Sequence, residues 1–192
     1  KKITIKDIVW DYSGVRALYE NKNVEARNAS RDYTFELEEE EGSVLLTVYG
    51  GKITTHRKLA EKAVSKITSL LNLKRKDWTS TQYLPGGDFK LEDKEDIIRE
   101  LLKKYKFLNM RWAERLFKTF GSDVEKVLGG AKEKKDLGKN FGFDLTEREV
   151  LWYINHEHVT CVEDLIWRRS KLGLRLSIKQ IKELHSYIKN LN

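Results

Sequence analysis

Apolar and polar positions along the first third of the chain follow patterns that predict strands and then a helix. Residues 3–12, 32–37 and 44–49 are rich in β-branched and aromatic side chains, which favours three strands. The acidic stretch 38–42 predicts a hairpin turn, so the second and third strands should be antiparallel. From about residue 53 to residue 71 the apolar positions recur at helical spacing.

After residue 88 the apolar spacing is helical to the end of the chain. Asn109 is placed to cap a helix that Gly121 would end. A capping box pairs a hydroxyl residue with a Glu or Gln three positions later, and four pairs have this spacing: Ser122/Glu125, Thr146/Glu149, Thr160/Glu163 and Ser177/Gln180. These signals predict an all-α C-terminal domain.

Helical periodicity is lost between these two regions. Residues 73–88 contain a basic cluster at 74–76 and the only proline of the chain, Pro85. We therefore place a first domain at residues 1–72, a linker at 73–88 and the helical domain at 89–192. The predicted fold class is α+β, with a small antiparallel sheet followed by helices.

The junction between the third strand and its helix carries the candidate chemistry. The strand ends at Gly50 and Gly51, residues that permit positive φ and let backbone N–H groups approach a ligand. Free N–H groups at a helix N-terminus favour an anionic or electron-rich ligand. Lys52 adds a positive charge, and Thr54 and Thr55 add hydroxyls. An ordinary strand-to-helix joint remains an equal alternative, because Gly-Gly-Lys only loosely resembles a phosphate-binding loop.

Composition bounds the class of protein. With 192 residues, 40% hydrophobic and 35% charged, the chain should be globular, and it contains no apolar run of 18 residues. It begins at Lys1 without a methionine, so we expect a fragment of a longer protein. The lone Cys161 excludes an internal disulfide, fits a reducing compartment and is better explained as a small core residue than as a nucleophile.

The net charge of +7 invites a nucleic-acid interpretation. However, the excess is +3 in residues 1–84 (15 basic, 12 acidic) and +4 in residues 85–192 (22 basic, 18 acidic). Since a surface that follows phosphates needs segregated charge, a nucleic-acid partner is disfavoured.

Two further stretches are weighed against ordinary structural roles. His156 and His158 are two positions apart, which on a helix points them in different directions, so we expect no metal site. The basic stretch that begins at Trp167-Arg168-Arg169 suits phosphates or an anionic membrane, or else a solvated face with structural ion pairs.

Five blocks of the sequence resemble one family in order and spacing. They are residues 12–18, 30–34, 50–61, 84–87 and 167–173. The chain resembles the C-terminal part of bacterial FAD-dependent glycerol-3-phosphate dehydrogenase. The resemblance implies that the first domain is a remnant of the flavin and substrate-cap region. The enzyme oxidises sn-glycerol 3-phosphate to dihydroxyacetone phosphate, transferring a hydride to FAD, and electrons pass to quinone.

The resemblance also implies roles for individual residues. Gly50, Gly51, Lys52, Thr54 and Thr55 would bind the cofactor, with their turn beside the isoalloxazine ring. Lys52 would approach the flavin and the substrate hydroxyl, and we assign it a catalytic role.

Two arginines complete the implied substrate site. Arg16 and Arg31 would bind the substrate, Arg16 also with a catalytic role, because a guanidinium fork suits phosphate oxygens. Two positions depart from the family: His56 stands where Tyr is frequent, and Ala17 where Pro is frequent.

The family's N-terminal glycine fingerprint for FAD is absent from this sequence. We therefore expect this chain alone to be inactive and to hold FAD poorly. The implied location is cytoplasmic, peripheral at the inner face of the cytoplasmic membrane, with a homodimer possible. The alternative function is a basic helical interaction module that docks on a membrane surface, a partner subunit or nucleic acid.

Overall fold

The computed structural model describes residues 2–15 and 32–191. The chain divides into two compact units, Lys1–Gln82 and Tyr83–Asn192. This division falls inside the stretch 73–88 for which the sequence predicts a linker.

The first unit contains a two-stranded hairpin. Strand β1 (Tyr33–Glu40) pairs antiparallel with β2 (Ser43–Gly50), and Glu40 lies opposite Ser43. Both turn residues have positive φ, 50° at Glu41 and 80° at Gly42, which suits the right-handed twist of a two-residue hairpin. The predicted antiparallel pairing is therefore confirmed.

The strand predicted at residues 3–12 is wrong. A short 3₁₀ turn, Ile5–Asp7, lies there instead, and Thr4 N and Thr4 Oγ1 each donate to Asp7 Oδ2 at 2.8 Å. A strand needs a partner, and within the described residues this segment has none, so local side-chain bonds decide its conformation.

Helix α1 (His56–Leu70) follows the hairpin after a 3₁₀ turn, Ile53–Thr55. It packs on β1 through long side chains: Lys62 Nζ lies 5.3 Å from the Tyr33 ring centroid, and Lys66 Nζ lies 5.7 Å from that of Phe35. The predicted helix at 53–71 is confirmed, except that its first three residues form the 3₁₀ turn.

The second unit is mostly helical, and its helices are α2 (Lys94–Lys104), α3 (Met110–Phe120), α4 (Val124–Leu128), α5 (Glu147–His156) and α6 (Ile178–Leu191). A π-helical segment, Asp164–Arg169, lies between α5 and α6. The unit also contains a short antiparallel pair, β3 (Asn140–Gly142) and β4 (Leu145–Thr146), which the sequence analysis did not predict because two or three residues are too few to show alternation. The α+β class and the helical character of this part of the chain are confirmed.

The core of the second unit is formed by apolar side chains from α2 through α6, among them Leu101, Trp112, Leu116, Tyr153 and Leu184. No helix within the described residues is long and apolar enough to cross a bilayer.

The predicted helix ends are confirmed in part. Asn109 caps α3 by accepting from Trp112 N at 2.9 Å, and Gly121 ends that helix with φ 57°. Of the four predicted capping boxes, only Ser177/Gln180 forms both of its bonds: Ser177 N donates to Gln180 Oε1 at 2.8 Å, and Gln180 N donates to Ser177 Oγ at 3.4 Å.

The other three boxes are wrong as hydrogen-bonded pairs because their members have other partners. Ser122 Oγ donates to Asp88, and Thr146 starts α5 without a side-chain cap. Thr160 N donates to Asp164 Oδ2 at 3.0 Å rather than to Glu163.

The end of the predicted linker is part of the second unit. Ser122 N donates to Gly86 O at 3.0 Å, and Gly86 has φ 74°. A Cβ at Gly86 or at Gly121 would collide with the backbone of the facing segment. This close approach explains the two glycines in physical terms.

Candidate functional site

The turn between β2 and α1 has the geometry that its two glycines predict. Gly50 has φ 69° and Gly51 has φ 102°, conformations that strain any residue with a side chain. A Cβ at Gly51 would lie 3.1 Å from Leu59 Cδ1 and 3.5 Å from Tyr33 Cβ. The turn is therefore held closely between β1 and α1, and its conformation is fixed by the residues around it.

Lys52 follows this turn and forms an ion pair with Asp32. Lys52 Nζ lies 2.9 Å from Asp32 Oδ1, and 43% of the Lys52 side chain remains exposed. Because Tyr33 lies opposite Gly50 in the hairpin, the residue before Tyr33 comes beside the turn. The ammonium group is thus positioned by Asp32, the residue before β1, while it stays accessible to a ligand.

The side chains that follow Lys52 differ in whether they bond to the turn or face solvent. Thr55 Oγ1 donates to Lys52 O at 3.1 Å, and the ring Nδ1 of His56 lies 2.7 Å from Ile53 O. These contacts fix the first helical turn. Thr54 is exposed, and Ile53 is 88% exposed although it is apolar.

Together these features describe a small surface suited to an electron-rich ring system. The first N–H groups of a helix have no acceptor within it and carry partial positive charge. Lys52 adds a full positive charge, and the exposed Ile53 adds an apolar contact. Such a surface can hydrogen-bond an anionic edge while it covers an apolar face.

Of the predicted site residues, Gly50, Gly51, Lys52, Thr54 and Thr55 are together in this one turn. Arg16 and Arg31 lie outside the described residues, and so does Ala17. Asp32 was missed by sequence reasoning. A signal for it existed, because a hairpin turn at residues 41–42 sets the register that brings position 32 beside Gly51.

Glu61, the buried residue of α1, is a second residue that no sequence pattern indicated. Its carboxylate lies 2.8 Å from Lys58 Nζ, 2.5 Å from Arg57 Nη1 and 2.5 Å from Thr79 Oγ1. Hydrogen bonds from Lys58 and Thr79, with the charge of Arg57, lower the pKa of Glu61 to about 2. Glu61 therefore joins α1 to the segment around Thr79.

The basic stretch near Trp167 is largely engaged within its own unit. Arg168 Nη1 lies 2.7 Å from Asp164 Oδ1, and Arg169 Nε donates to Glu157 O at 2.7 Å. Lys171 Nζ donates to Trp167 O. Hydrogen bonds from Thr160, mainly its backbone N–H, lower the pKa of Asp164. The carboxylate that pairs with Arg168 therefore stays charged.

His156 and Cys161, the remaining candidate residues, each contact other residues of the second unit. His156 packs on Trp152 with ring centroids 4.1 Å apart, and within residues 2–15 and 32–191 no cluster of potential metal ligands is found. Cys161 is half-buried, and burial raises the pKa of its thiol.

A match to a known family covers most of the second unit. Residues 78–189 match the C-terminal domain of alpha-glycerophosphate oxidase, and the chain belongs to this family.

Individual relatives extend the match over both units. The aerobic glycerol-3-phosphate dehydrogenase of Escherichia coli (strain K12) is 38% identical over 98% of this chain and 38% of its own length. The D-erythritol 1-phosphate dehydrogenase of Brucella abortus (strain 2308) is 31% identical over 100% of this chain and 38% of its own length. The mitochondrial glycerol-3-phosphate dehydrogenase of Rattus norvegicus is 28% identical over 92% of this chain and 24% of its own length.

The resemblance to glycerol-3-phosphate dehydrogenases inferred from the five sequence blocks is thus confirmed. The chain spans about 38% of the length of the bacterial relatives it matches, so these enzymes contain further sequence.

Proposed function

We propose that this chain forms part of an FAD-dependent glycerol-3-phosphate dehydrogenase. The enzyme oxidises sn-glycerol 3-phosphate to dihydroxyacetone phosphate, and electrons pass on to quinone. The observation that carries the proposal is the Gly50–Gly51–Lys52 turn: a positively charged helix start, in a chain that matches such dehydrogenases over nearly its whole length.

The residues of the turn fit the proposed cofactor. The isoalloxazine ring has a polar pyrimidine edge that becomes negative on reduction, and helix N–H groups and an ammonium group are suited to stabilise it. Gly50 and Gly51 permit the positive φ values that shape the turn, and Thr54 offers an exposed hydroxyl. Ile53, which is apolar and exposed, would contact the ring face.

FAD, when bound, accepts the hydride from the carbon that bears the secondary hydroxyl of the substrate. In the proposed site Lys52 orients that hydroxyl and adds positive charge beside it. Arg16 and Arg31 bind the phosphate, a task for which the planar guanidinium fork is well matched. Asp32 holds Lys52 at the turn until substrate enters, because the two side chains are paired at 2.9 Å.

The rest of the active site belongs to sequence that the bacterial relatives contain beyond the matched region. We therefore propose that this chain alone neither holds FAD tightly nor turns over substrate. In the full-length enzyme we propose a peripheral position at the inner face of the cytoplasmic membrane, where a lipid-soluble quinone is accessible.

The test uses the full-length enzyme with single substitutions. Lys52→Ala and Arg16→Ala should each lower kcat/KM roughly 10- to 100-fold, since a charged hydrogen bond contributes about 1.5–3 kcal/mol. Lys74→Ala, which removes an exposed lysine of the same unit, is the matched control. Near-normal turnover in both active-site variants would contradict the assignment.

Substrate identity is tested in the same assay. Turnover of sn-glycerol 3-phosphate should exceed that of D-erythritol 1-phosphate, because the relative named for the former is more similar. The reverse order would keep the class of reaction and replace the substrate.

A further inference from the structure

The second unit contains a cleft whose chemistry is separate from the Gly50–Lys52 turn. It has a volume of about 330 Å³ and lies among α3, the β3–β4 hairpin and the segment before α6. A cavity of this size accepts a small molecule. Four of its lining residues are cations and two are carboxylates: Arg111, Arg115, Lys118, Arg175, Glu114 and Asp144.

Three of the cations have acidic partners. Arg111 Nη2 lies 3.0 Å from Asp144 Oδ2, and Lys118 Nζ lies 3.7 Å from Glu114 Oε2. Arg115 forms a two-pronged pair with the buried Glu149, at 2.6 and 2.8 Å. Arg175 forms no ion pair within the part of the chain that the structure describes, so one positive charge in the cleft is in excess.

Two arginines of the cleft, Arg111 and Arg175, each lie near the same aromatic ring. The guanidinium carbon of Arg111 lies 5.0 Å from the centroid of Phe143, and that of Arg175 lies 5.4 Å from it. Because Asp144 pairs with Arg111, the excess positive charge beside this ring is that of Arg175.

The backbone that presents this ring is the two-residue turn of the β3–β4 hairpin. Phe143 and Asp144 have φ values of 47° and 63°, as both central residues of such a hairpin turn require. The turn holds Phe143 and Asp144 at the rim of the cleft.

We propose that this cleft binds a phosphate monoester, with Arg175 as the residue that binds the phosphate and Arg111 beside it. A dianionic phosphate balances the excess charge of Arg175, and a guanidinium fork matches two of its oxygens. The site shares no residue with the Gly50–Thr55 turn and does not depend on the function proposed for that turn.

The test is an NMR titration of the 192-residue chain with inorganic phosphate and with sn-glycerol 3-phosphate, at constant ionic strength in chloride. The amide signals of Phe143 and Asp144 should shift saturably with both ligands. Arg175→Gln should weaken binding about tenfold or more. Lys179→Gln removes one charge from an exposed position on α6 outside the cleft and should leave binding unchanged.

Each other outcome overturns the proposal. Equal weakening by Lys179→Gln would show attraction by net charge alone. Shifts that disappear with Lys52→Gln would locate the ligand at the turn instead. Binding only to vesicles of phosphatidylglycerol and phosphatidylcholine, without a response to free phosphate, would make the cleft a lipid contact.

Discussion

The two units of the chain differ in how they bury their side chains. Among the described residues, the buried apolar core runs from Ile98 to Ile188 and lies wholly in the second unit. In the part of the first unit that the structure describes, the buried residue is a carboxylate, Glu61, while apolar residues such as Ile5 (87%) and Leu45 (58%) are exposed. A two-stranded hairpin is marginal by itself.

The two units are therefore suited to different roles. The second unit contains the core that a folding domain needs, and its cleft is built on buried structure. The first unit presents charged and apolar groups on an open surface, which fits the proposal that further sequence completes the site. Four predictions test this contrast, from the largest expected effect to the smallest.

The largest effect should come from the buried ion pair of the second unit. Glu149→Ala leaves Arg115 buried without its partner, and breaking such a pair costs about 3–5 kcal/mol of unfolding free energy. Urea unfolding followed by far-UV circular dichroism measures the loss. Asp96→Ala, which removes one member of an exposed pair, should cost about 0–1 kcal/mol. Equal losses for Glu149→Ala and Asp96→Ala would show that burial of the Arg115–Glu149 pair does not increase its contribution to the free energy of unfolding.

Matched leucine truncations compare the two units directly. Leu184→Ala should cost about 2–5 kcal/mol, because its side chain is fully buried and a cavity remains. Leu45→Ala on β2 should change unfolding free energy by no more than about 0.5 kcal/mol, since that side chain is exposed. A large loss at Leu45 would indicate that the hairpin face is covered in this chain.

A smaller effect, dependent on pH, is expected in the first unit. The pKa of Glu61 is lowered from 4.5 to about 2 by its partners. Its contribution to stability is therefore fully present above the unfolded pKa of 4.5 and is lost as pH falls through the folded value near 2. NMR signals of Thr79 followed against pH should report this loss, and Glu61→Gln should abolish the response. A midpoint near 4.5 would contradict the buried network.

The smallest effect should come from Asp32. Its pair with Lys52 is exposed, and such pairs contribute about 0–1 kcal/mol. In the full-length enzyme, Asp32→Asn should lower kcat/KM by no more than about fivefold, well below the effect of Lys52→Ala. An effect as large as that of Lys52→Ala would give Asp32 a direct role with substrate.

Local patterns predicted most of the helices and the hairpin, because apolar spacing and turn residues act over a few positions. The failures arise where distant residues decide. Residues 3–12 have strand-like composition but no partner strand among the described residues, so Thr4 and Asp7 form a local turn instead. Three capping boxes failed because Asp88, Arg115 and Asp164 offered other bonds to their members.

The candidate site was predictable only in its local part. The Gly50–Thr55 turn follows from adjacent residues, whereas the Lys52–Asp32 pair depends on hairpin register. The cleft of the second unit joins residues more than 30 positions apart, such as Arg111 and Asp144. No short-range pattern marks that contact.

In the proposed active site the Gly50–Lys52 turn lies against a flavin, and the midpoint potential of the bound FAD in the full-length enzyme tests this placement most directly. A positive charge beside the flavin stabilises the reduced, negatively charged form. Lys52→Met should therefore lower the midpoint potential relative to the unchanged enzyme, while Lys74→Met should leave it unchanged. Identical potentials in all three proteins would contradict the claim.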